Sequence, residues 1–378
     1  MRLTIQREPL LAALSKLMPL PVRASTNDAA CHRFLRFTAE QDEVQIEASD
    51  SEMHMVARTC AHTLGREGRA LVPAHKLHDI VRALDDGAQV NLSVAENEWV
   101  MVSSGKSSFR LASLPESSLM TPTFAKEATR RAFTLPARAF RSMLDTAACS
   151  IERGVNLKHR AFSGVLLELL DDRARCVACD GRRLSRAEHG PIERGEAHKL
   201  VLPRKTLQML QHLLADIDED VTVSMHEHYL RVRTRTVTLT SRVIDSPFPN
   251  YEAAIPINAD TQVLLERNAF LEVLQRAAIG DEADKKGLVL NIGDEGIEVR
   301  TLDAKQLDVY ERMDAQVQPQ GAITGPFRLG ILPRQYDEAL RTLTSKTIRL
   351  LLRDAYSAVQ IVPDGSDATL HVIMPVRS

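Results

Sequence analysis

The sequence is poor in aromatic residues, which make up 4% of the chain and include a single tryptophan, Trp99. Cores built from this composition must be mostly aliphatic. Long apolar runs are also missing: the segment 1–18 contains the polar Arg2, Glu8 and Lys16, and no stretch approaches the ~20 apolar residues of a membrane-spanning helix. We therefore expect neither a signal peptide nor a membrane span, and a cytoplasmic location.

Cysteine and net charge are also low. Five cysteines in a long chain without a signal peptide predict free thiols in a reducing compartment. The net charge is −2, from 48 basic and 50 acidic residues, so the overall balance neither predicts nor excludes a nucleic-acid partner. The apolar fraction of 44% and the charged fraction of 26% are ordinary for a globular protein.

The sequence contains no complete nucleotide-binding loop. The run from Gly105 to Ser108 resembles the end of a phosphate-binding loop, but that motif needs a glycine five residues earlier, where Val100 stands. We expect a hairpin turn here, ahead of Phe109. No nucleophile elbow or glycine-rich dinucleotide loop occurs elsewhere.

Two short motifs have the residue types of a metal or thiol site, but the surrounding sequence lacks the other ligands that such a site needs. Cys176 and Cys179 have the spacing of a zinc or redox pair, but residues three apart on a strand point to opposite faces, and no second cysteine pair exists. The segment 226–228 carries two histidines without a third ligand, and we expect a solvated loop. The sequence thus predicts no catalytic centre, no metal site and no cofactor.

One stretch occurs three times. It begins near Pro73, again near Pro203 and again near Pro333, and the prolines are 130 residues apart both times. A period of this length is that of a whole domain, because solenoid repeats span only ~20–50 residues. The chain therefore divides into three copies of one fold, with predicted domains at 1–125, 126–253 and 254–378.

Each copy has the same predicted order of elements. A short strand precedes a first helix, whose apolar stripe begins at Leu10, Phe140 and Phe270 in the three copies. Period-two segments then predict antiparallel hairpins. A second helix follows each repeated proline, since a first-turn proline loses no hydrogen bond, and more strands close the copy. Two helices on antiparallel sheet define an α+β arrangement.

The polar faces of the predicted helices carry basic residues that include Arg82, Arg141 and Lys205. If the six helices face one way, they form a moderately basic surface that suits non-specific phosphate contact. The alternative is that these are ordinary solvated helix faces, and acidic neighbours such as Asp79 and Asp145 dilute the positive charge.

Three segments, with the threefold repeat, carry a family resemblance. They are Cys179-Asp180-Gly181-Arg182-Arg183-Leu184, the run from Ser241 to Tyr251, and the terminal Val372-Ile373-Met374-Pro375-Val376-Arg377. Over its full length the chain resembles the bacterial DNA polymerase III beta subunit, the β sliding clamp. The resemblance implies an α+β fold of three tandem DNA-clamp (processivity-fold) domains, with helices lining an inner surface and antiparallel sheets outside.

The resemblance also implies a function. Members of this family form a head-to-tail dimeric ring around duplex DNA, without sequence preference, and tether DNA polymerase, clamp-loader and repair proteins through short peptide motifs. No catalysis, cofactor or membrane contact is implied. The ring stays on DNA because it encloses it, so sliding contacts need only be weak.

The family's site residues transfer to this chain by position. The partner-peptide pocket would be lined by Phe162, Cys179, Gly181, Arg182, Arg183, Leu184, Pro256, Tyr356, Ala358, Val372, Met374, Pro375, Val376 and Arg377, with the arginines at its rim. Arg23, Lys158 and Arg160 would contact DNA together with the helix residues Lys205, Arg141 and Arg82. The dimer interface would include Lys76, Phe109, Leu111, Ile279 and Gly280.

Departures from the family pattern leave alternatives open. Arg182 replaces a histidine and Tyr356 a small residue, which would alter peptide preference. Gly280 replaces a larger residue at the ring-closing contact, which predicts a ring weaker than usual. A divergent paralogue that binds clamp-motif peptides but closes poorly is therefore an alternative, whereas a metal- or thiol-dependent enzyme is the least favoured interpretation.

Overall fold

The structure is a computed structural model. It describes residues 1–21, 30–95, 99–119, 122–123, 131–154, 159–192, 197–259, 261–279, 287–293, 296–302, 309–319 and 327–376. Within these ranges no helix is both long enough and apolar enough to cross a membrane.

The six predicted helices are confirmed. They are α1 (Arg7–Leu17), α2 (Ala74–Ala83), α3 (Ala137–Ala148), α4 (Arg204–Leu213), α5 (Arg267–Ala277) and α6 (Pro333–Thr342). One detail of the prediction is wrong. Pro73 and Pro203 are the last residues of strands and precede α2 and α4, and only Pro333 occupies the first helical position. In all three copies the proline lies at or just before the start of the helix, where a backbone N–H would have no helical hydrogen-bond partner.

Strands fill most of the remaining described chain. The first copy contains β1 (Arg2–Gln6), β2 (Phe34–Glu40), β3 (Glu43–Ser49), β4 (Met53–Cys60), β5 (Thr63–Arg66), β6 (Gly68–Pro73), β7 (Gln89–Val94), β8 (Trp99–Ser104) and β9 (Ser107–Ala112). The second contains β10 (Arg131–Pro136), β11 (Gly164–Leu169), β12 (Ala174–Cys179), β13 (Arg183–His189), β14 (His198–Pro203), β15 (Asp220–Met225), β16 (Tyr229–Arg233) and β17 (Val237–Arg242). The third contains β18 (Thr261–Glu266), β19 (Leu288–Gly293), β20 (Gly296–Thr301), β21 (Tyr310–Met313), β22 (Gln316–Pro319), β23 (Phe327–Ile331), β24 (Thr347–Leu352), β25 (Val359–Pro363) and β26 (Thr369–Ile373).

The chain forms two compact units. The first comprises Met1–Arg138 and Gln208–Val243, and the second comprises Ala139–Leu207 and Ile244–Ser378. The first unit holds a five-stranded sheet, β5-β1-β7-β8-β9, and an eight-stranded sheet, β10-β15-β16-β17-β4-β3-β2-β6. The second holds a nine-stranded sheet, β14-β11-β12-β13-β26-β25-β24-β18-β22, and a four-stranded sheet, β21-β20-β19-β23.

The strand pairings explain why the second copy is divided between these units. Its strands β15 to β17 join the first copy, because β17 pairs with β4. Its strands β11 to β14 join the third copy, because β13 pairs with β26 from Arg183↔Ile373 to Ala187↔Thr369. Sheets therefore continue across the sequence repeats, and each compact unit contains strands from two copies.

The cores are aliphatic, as the composition predicts. In the first unit α1 buries Leu10, Leu14 and Leu17. In the second unit α5 and α6 bury their apolar stripes in one cluster, where the rings of Phe270 and Tyr336 meet edge to face with centroids 6.4 Å apart. Burial of these side chains, at ~1.5–3 kcal/mol each, is what fixes the helices on their sheets.

The short motifs mostly behave as predicted. Gly105 has a φ of +55° in the turn joining β8 to β9, which confirms the hairpin. All five cysteines are free, with Cys176 buried and Cys179 half-buried on β12. The expectation of a solvated loop at 226–228 is wrong for His226, which is buried and stacks on Tyr229 at 4.2 Å between ring centroids.

Candidate functional site

Several residues of the predicted partner-peptide pocket, hereafter the cleft, lie together in an apolar cluster on the nine-stranded sheet, where β13 pairs with β26. Cys179 faces Leu184 across β12 and β13, and Leu184 faces Val372 across β13 and β26, so the three side chains form one row. The buried residues of this cluster are Ala161, Leu166, Val177, Leu184, Val201, Tyr251, Ala358, Val362, Leu370 and Val372. The structure thus brings together four of the predicted lining residues, Leu184, Ala358, Val372 and the half-buried Cys179.

The first unit carries the corresponding row in a polar form. There Ser49 faces His54, and His54 faces Thr240 across β4 and β17. Beside them Glu47 accepts hydrogen bonds from Arg36 at 3.3 Å and from His54 at 3.2 Å. The strand pairing matches that of the apolar cleft, but the side chains are polar, so this second row offers no apolar surface.

A tight turn borders the cleft at Asp180 to Arg183. One carboxylate oxygen of Asp180 accepts hydrogen bonds from the backbone amides of Arg182 and Arg183, each at 2.9 Å. Gly181 has a φ of +85°, a conformation that favours glycine. The backbone N–H of Met374 donates to the carbonyl of Arg182 at 2.8 Å, so this turn also holds the C-terminal segment in place.

The rim residues differ from expectation in one respect. Arg182 is exposed, as predicted, but Arg183 is only 8% exposed and lies on the opposite face of β13 from Leu184. It donates to Asp180 at 2.9 Å and to Glu338 of α6 at 2.6 Å. Although burial opposes it, hydrogen bonding to the two carboxylates raises the pKa of Arg183 above its ordinary value. The prediction that Arg183 lies at the rim is therefore wrong.

The remaining predicted lining residues differ in exposure. Tyr356 is 80% exposed and Met374 is 47% exposed. Pro256 is half-buried, and its carbonyl accepts a hydrogen bond from Gln360 on β25 at 3.0 Å. Val376 is held by a 3.0 Å hydrogen bond to the carbonyl of Gly330. The predicted Arg377 lies outside the described residues, and Pro375 is half-buried.

Sequence reasoning missed the aromatic wall of the cleft. Phe162, which was predicted, meets Phe248 edge to face at 6.2 Å, and Phe248 meets Tyr251 in the same way. The hydroxyl of Tyr251 donates to Glu168 at 2.6 Å and accepts from Arg175 at 2.7 Å, and burial raises its pKa above the ordinary value. Phe248 and Tyr251 lie within the segment 241–251 that carries the family resemblance, and this resemblance is the sequence feature that could have identified them.

A buried polar network lies on the other face of β13 and β26. Ser185 and Nδ1 of His371 are 2.7 Å apart, and Nε2 of His371 lies 3.0 Å from the hydroxyl of Thr342 on α6. Ser150, just beyond α3, also meets Ser185, at 2.6 Å. The network ties the strand pair beneath the cleft to the helices.

The network predicts an acid sensitivity of the fold. Burial, assisted by the positive charge of Arg183, lowers the pKa of His371 to about 3 from its usual 6.5. Between pH 6.5 and pH 3, His371 is therefore protonated in the unfolded chain and neutral in the folded chain. The free energy of unfolding falls over this range, by up to ~1.4 kcal/mol per pH unit, as the pH is lowered.

We expect the loss of unfolding free energy between pH 7 and pH 5 to be ~2 kcal/mol smaller in His371→Gln than in the wild type. Urea unfolding at the two pH values measures this difference, and His62→Gln, at an exposed histidine, is the control. Equal losses in all three proteins would contradict the buried, neutral state of His371.

The predicted DNA-contacting residues that the structure describes are exposed, except for Arg141, which is half-buried. Arg160 and Lys205 are exposed, while Arg82 pairs with Asp79 at 3.3 Å and Arg141 with Asp145 at 3.6 Å. Exposed pairs of this kind contribute only ~0.3–0.5 kcal/mol, so the arginines can exchange their partners for phosphates at little cost. Arg23 and Lys158 lie outside the described residues.

The predicted dimer-interface residues differ in exposure. Phe109 is 37% exposed on β9, which ends its sheet, but Leu111 is buried and offers little surface to a partner. Lys76 is exposed on α2 and Ile279 is 67% exposed just beyond α5. Glu311 on β21 accepts two 3.0 Å hydrogen bonds from Arg276 of α5. Gly280 lies outside the described residues.

No cluster of three or more potential metal-ligating side chains occurs among the described residues.

Two helices on antiparallel strands, repeated three times at a fixed spacing, define the class as a DNA-clamp architecture. The family models of the DNA polymerase III beta subunit match the chain in order, the N-terminal domain at residues 1–119, the central domain at 134–250 and the C-terminal domain at 252–377. The chain belongs to the DNA polymerase III beta subunit family, whose members are non-catalytic processivity subunits, as the sequence predicted.

Individual sliding clamps are similar to the chain over its full length. The chain is 27% identical to the beta sliding clamp of Pseudomonas putida KT2440 and 26% identical to that of Escherichia coli K12, each over 100% of both chains. A crystal structure of the Pseudomonas aeruginosa sliding clamp bound to griselimycin has a TM-score of 0.92 at 25% identity and covers 100% of both chains. The expected fold of three tandem clamp domains is thereby confirmed.

Proposed function

We propose that the chain is a sliding clamp that encircles duplex DNA as a head-to-tail homodimer and tethers its partners through the apolar cleft. The partners are DNA polymerase, clamp-loader and repair proteins that carry short, partly apolar motifs, and the setting is the cytoplasm. The observation that carries this proposal is the row Cys179, Leu184 and Val372, with Met374 half-exposed beside it. We also propose domain boundaries at 1–125, 126–253 and 254–378.

The basic residues support a sequence-independent contact with DNA. Four of them lie on helices or on a 3₁₀ turn: Arg82, Arg141, Arg160 and Lys205. We propose that these side chains contact phosphates rather than base edges. A closed ring stays on DNA because it encloses the duplex, so a few weak phosphate contacts are enough for binding. Arg23 and Lys158 are proposed to add to this set.

Primer extension with the polymerase and clamp loader of the same organism tests the function. In a single binding event, products should lengthen by at least about tenfold when the chain and loader are both present. Omission of the loader is the control. Equal product lengths with and without the chain would reject the proposed function.

A divergent paralogue with weak ring closure is the second candidate. It is favoured by the burial of Leu111, which leaves less of the predicted interface available to a partner subunit. Such a protein would bind clamp-motif peptides normally and fail in the primer-extension assay.

A further inference from the structure

Arg183 is placed at the cleft but does not face it. It pairs with Ile373 across β13 and β26, whereas its neighbour Leu184 pairs with Val372 in the cleft. Since side chains alternate along a strand, Arg183 points away from a peptide bound over Leu184. A guanidinium that is 8% exposed needs charged partners, and it finds them in Asp180 and Glu338.

Glu338 connects α6 to three arginines. Its Oε2 accepts from the buried Arg183 at 2.6 Å. Its Oε1 accepts from Arg334, one helical turn earlier, at 3.0 Å, and from Arg153, which follows α3. Arg153 and Arg334 are half-exposed, at 51% and 47%, so solvent screens them, while the bond to Arg183 is shielded.

The contacts run without a break from Glu338 to the cleft. Arg183 donates to one carboxylate oxygen of Asp180 at 2.9 Å, and the other oxygen accepts the two amides that form the turn at Arg182 and Arg183. The carbonyl of Arg182 in turn holds the amide of Met374. A continuous series of hydrogen bonds therefore links Met374 to a carboxylate on the opposite face of the sheet.

We propose that Glu338 is a positioning residue for the peptide cleft: it fixes Arg183, and through Asp180 it fixes the turn that holds Arg182 and Met374 in their binding positions. This inference rests on the proposed function of the cleft as a peptide site. It also assigns Arg183 to the support of the cleft rather than to direct contact with the peptide.

The experiment begins with three single substitutions on α6. Glu338→Gln removes the charge that holds Arg183. Arg334→Gln removes a half-exposed partner of the other oxygen. Asp337→Asn is adjacent on α6 but serves a different pair, since Asp337 accepts from Arg341 at 2.7 Å and from Gln275 at 3.1 Å. The full chain is titrated with a labelled clamp-motif peptide from the replicative polymerase of the same organism.

We expect Glu338→Gln to weaken peptide binding by about tenfold, because a hydrogen bond between charged groups is lost from the support of the turn. Asp337→Asn and Arg334→Gln should bind within about twofold of the wild type. The double variant Glu338→Gln with Arg183→Met should be no weaker than Arg183→Met alone, because both changes break the same connection. A general loss of stability would not produce that non-additivity.

The outcomes separate the two claims. Equal peptide affinity in Glu338→Gln and the wild type would overturn the positioning role while leaving the peptide site intact. Additive losses in the double variant, or an equal loss in Arg334→Gln, would also overturn it. Absence of peptide binding by the wild type would instead reject the proposed function. Circular dichroism melting confirms folding, and Arg183→Gln, which also removes the charge, replaces any Arg183→Met protein that fails to fold.

Discussion

Met374→Ala is expected to weaken the binding of a clamp-motif peptide by at least about tenfold while changing the unfolding free energy by less than about 0.5 kcal/mol. The Met374 side chain is 47% exposed, so its removal leaves little cavity, but it stands at the edge of an otherwise buried apolar row. Deletion of residues 374–378 should abolish binding, because it also removes Val376 and its bond to Gly330.

Val94→Ala is the matched control, since Val94 is a 37% exposed apolar residue on β7 of the other compact unit. It should leave the peptide affinity unchanged. An unchanged affinity in Met374→Ala, measured by titration, would refute the placement of the peptide site.

Sedimentation at micromolar concentration should show monomers and dimers in exchange. Gly280 stands where the family has a larger apolar residue, and loss of a buried Leu-sized side chain costs ~2–5 kcal/mol in cores, at each of the two interfaces of a ring. The burial of Leu111 reduces the available contact further.

The variant Gly280→Leu should shift the population strongly towards the dimer. Gly293→Leu is a suitable control, because an added side chain at this glycine meets no atom within 4 Å. A wild-type dimer that persists at picomolar dilution would refute the weak-ring prediction, as would a Gly280→Leu protein that sediments like the wild type.

Local patterns in the sequence predicted the helices well. The stripe that begins at Leu10 and its copies at Phe140 and Phe270 became α1, α3 and α5, because amphipathic periodicity and burial agree there. The lining of the cleft was reached through the family resemblance rather than through periodicity. Periodicity alone could not separate the apolar row at Leu184 from the polar row at His54, since both strands alternate in the same way.

The sequence did not predict contacts between residues that are far apart along the chain. Arg183 and Glu338 are 155 residues apart, and nothing local to either residue signals their contact. The same holds for β13 and β26, whose pairing places strands of the second copy in a sheet with the third. Sequence similarity defines the copies, whereas hydrogen-bonded sheets define the compact units, and these two divisions need not coincide.

Loading onto nicked circular DNA, followed by linearisation, tests the central claim most directly. The protein is loaded with its clamp loader, separated from free protein by gel filtration, and measured on the DNA before and after cutting. The proposed clamp should remain on the circle and leave the linear form, because only a topological link is broken by an end. Retention on linear DNA equal to that on the circle, or failure to load at all, would contradict the account.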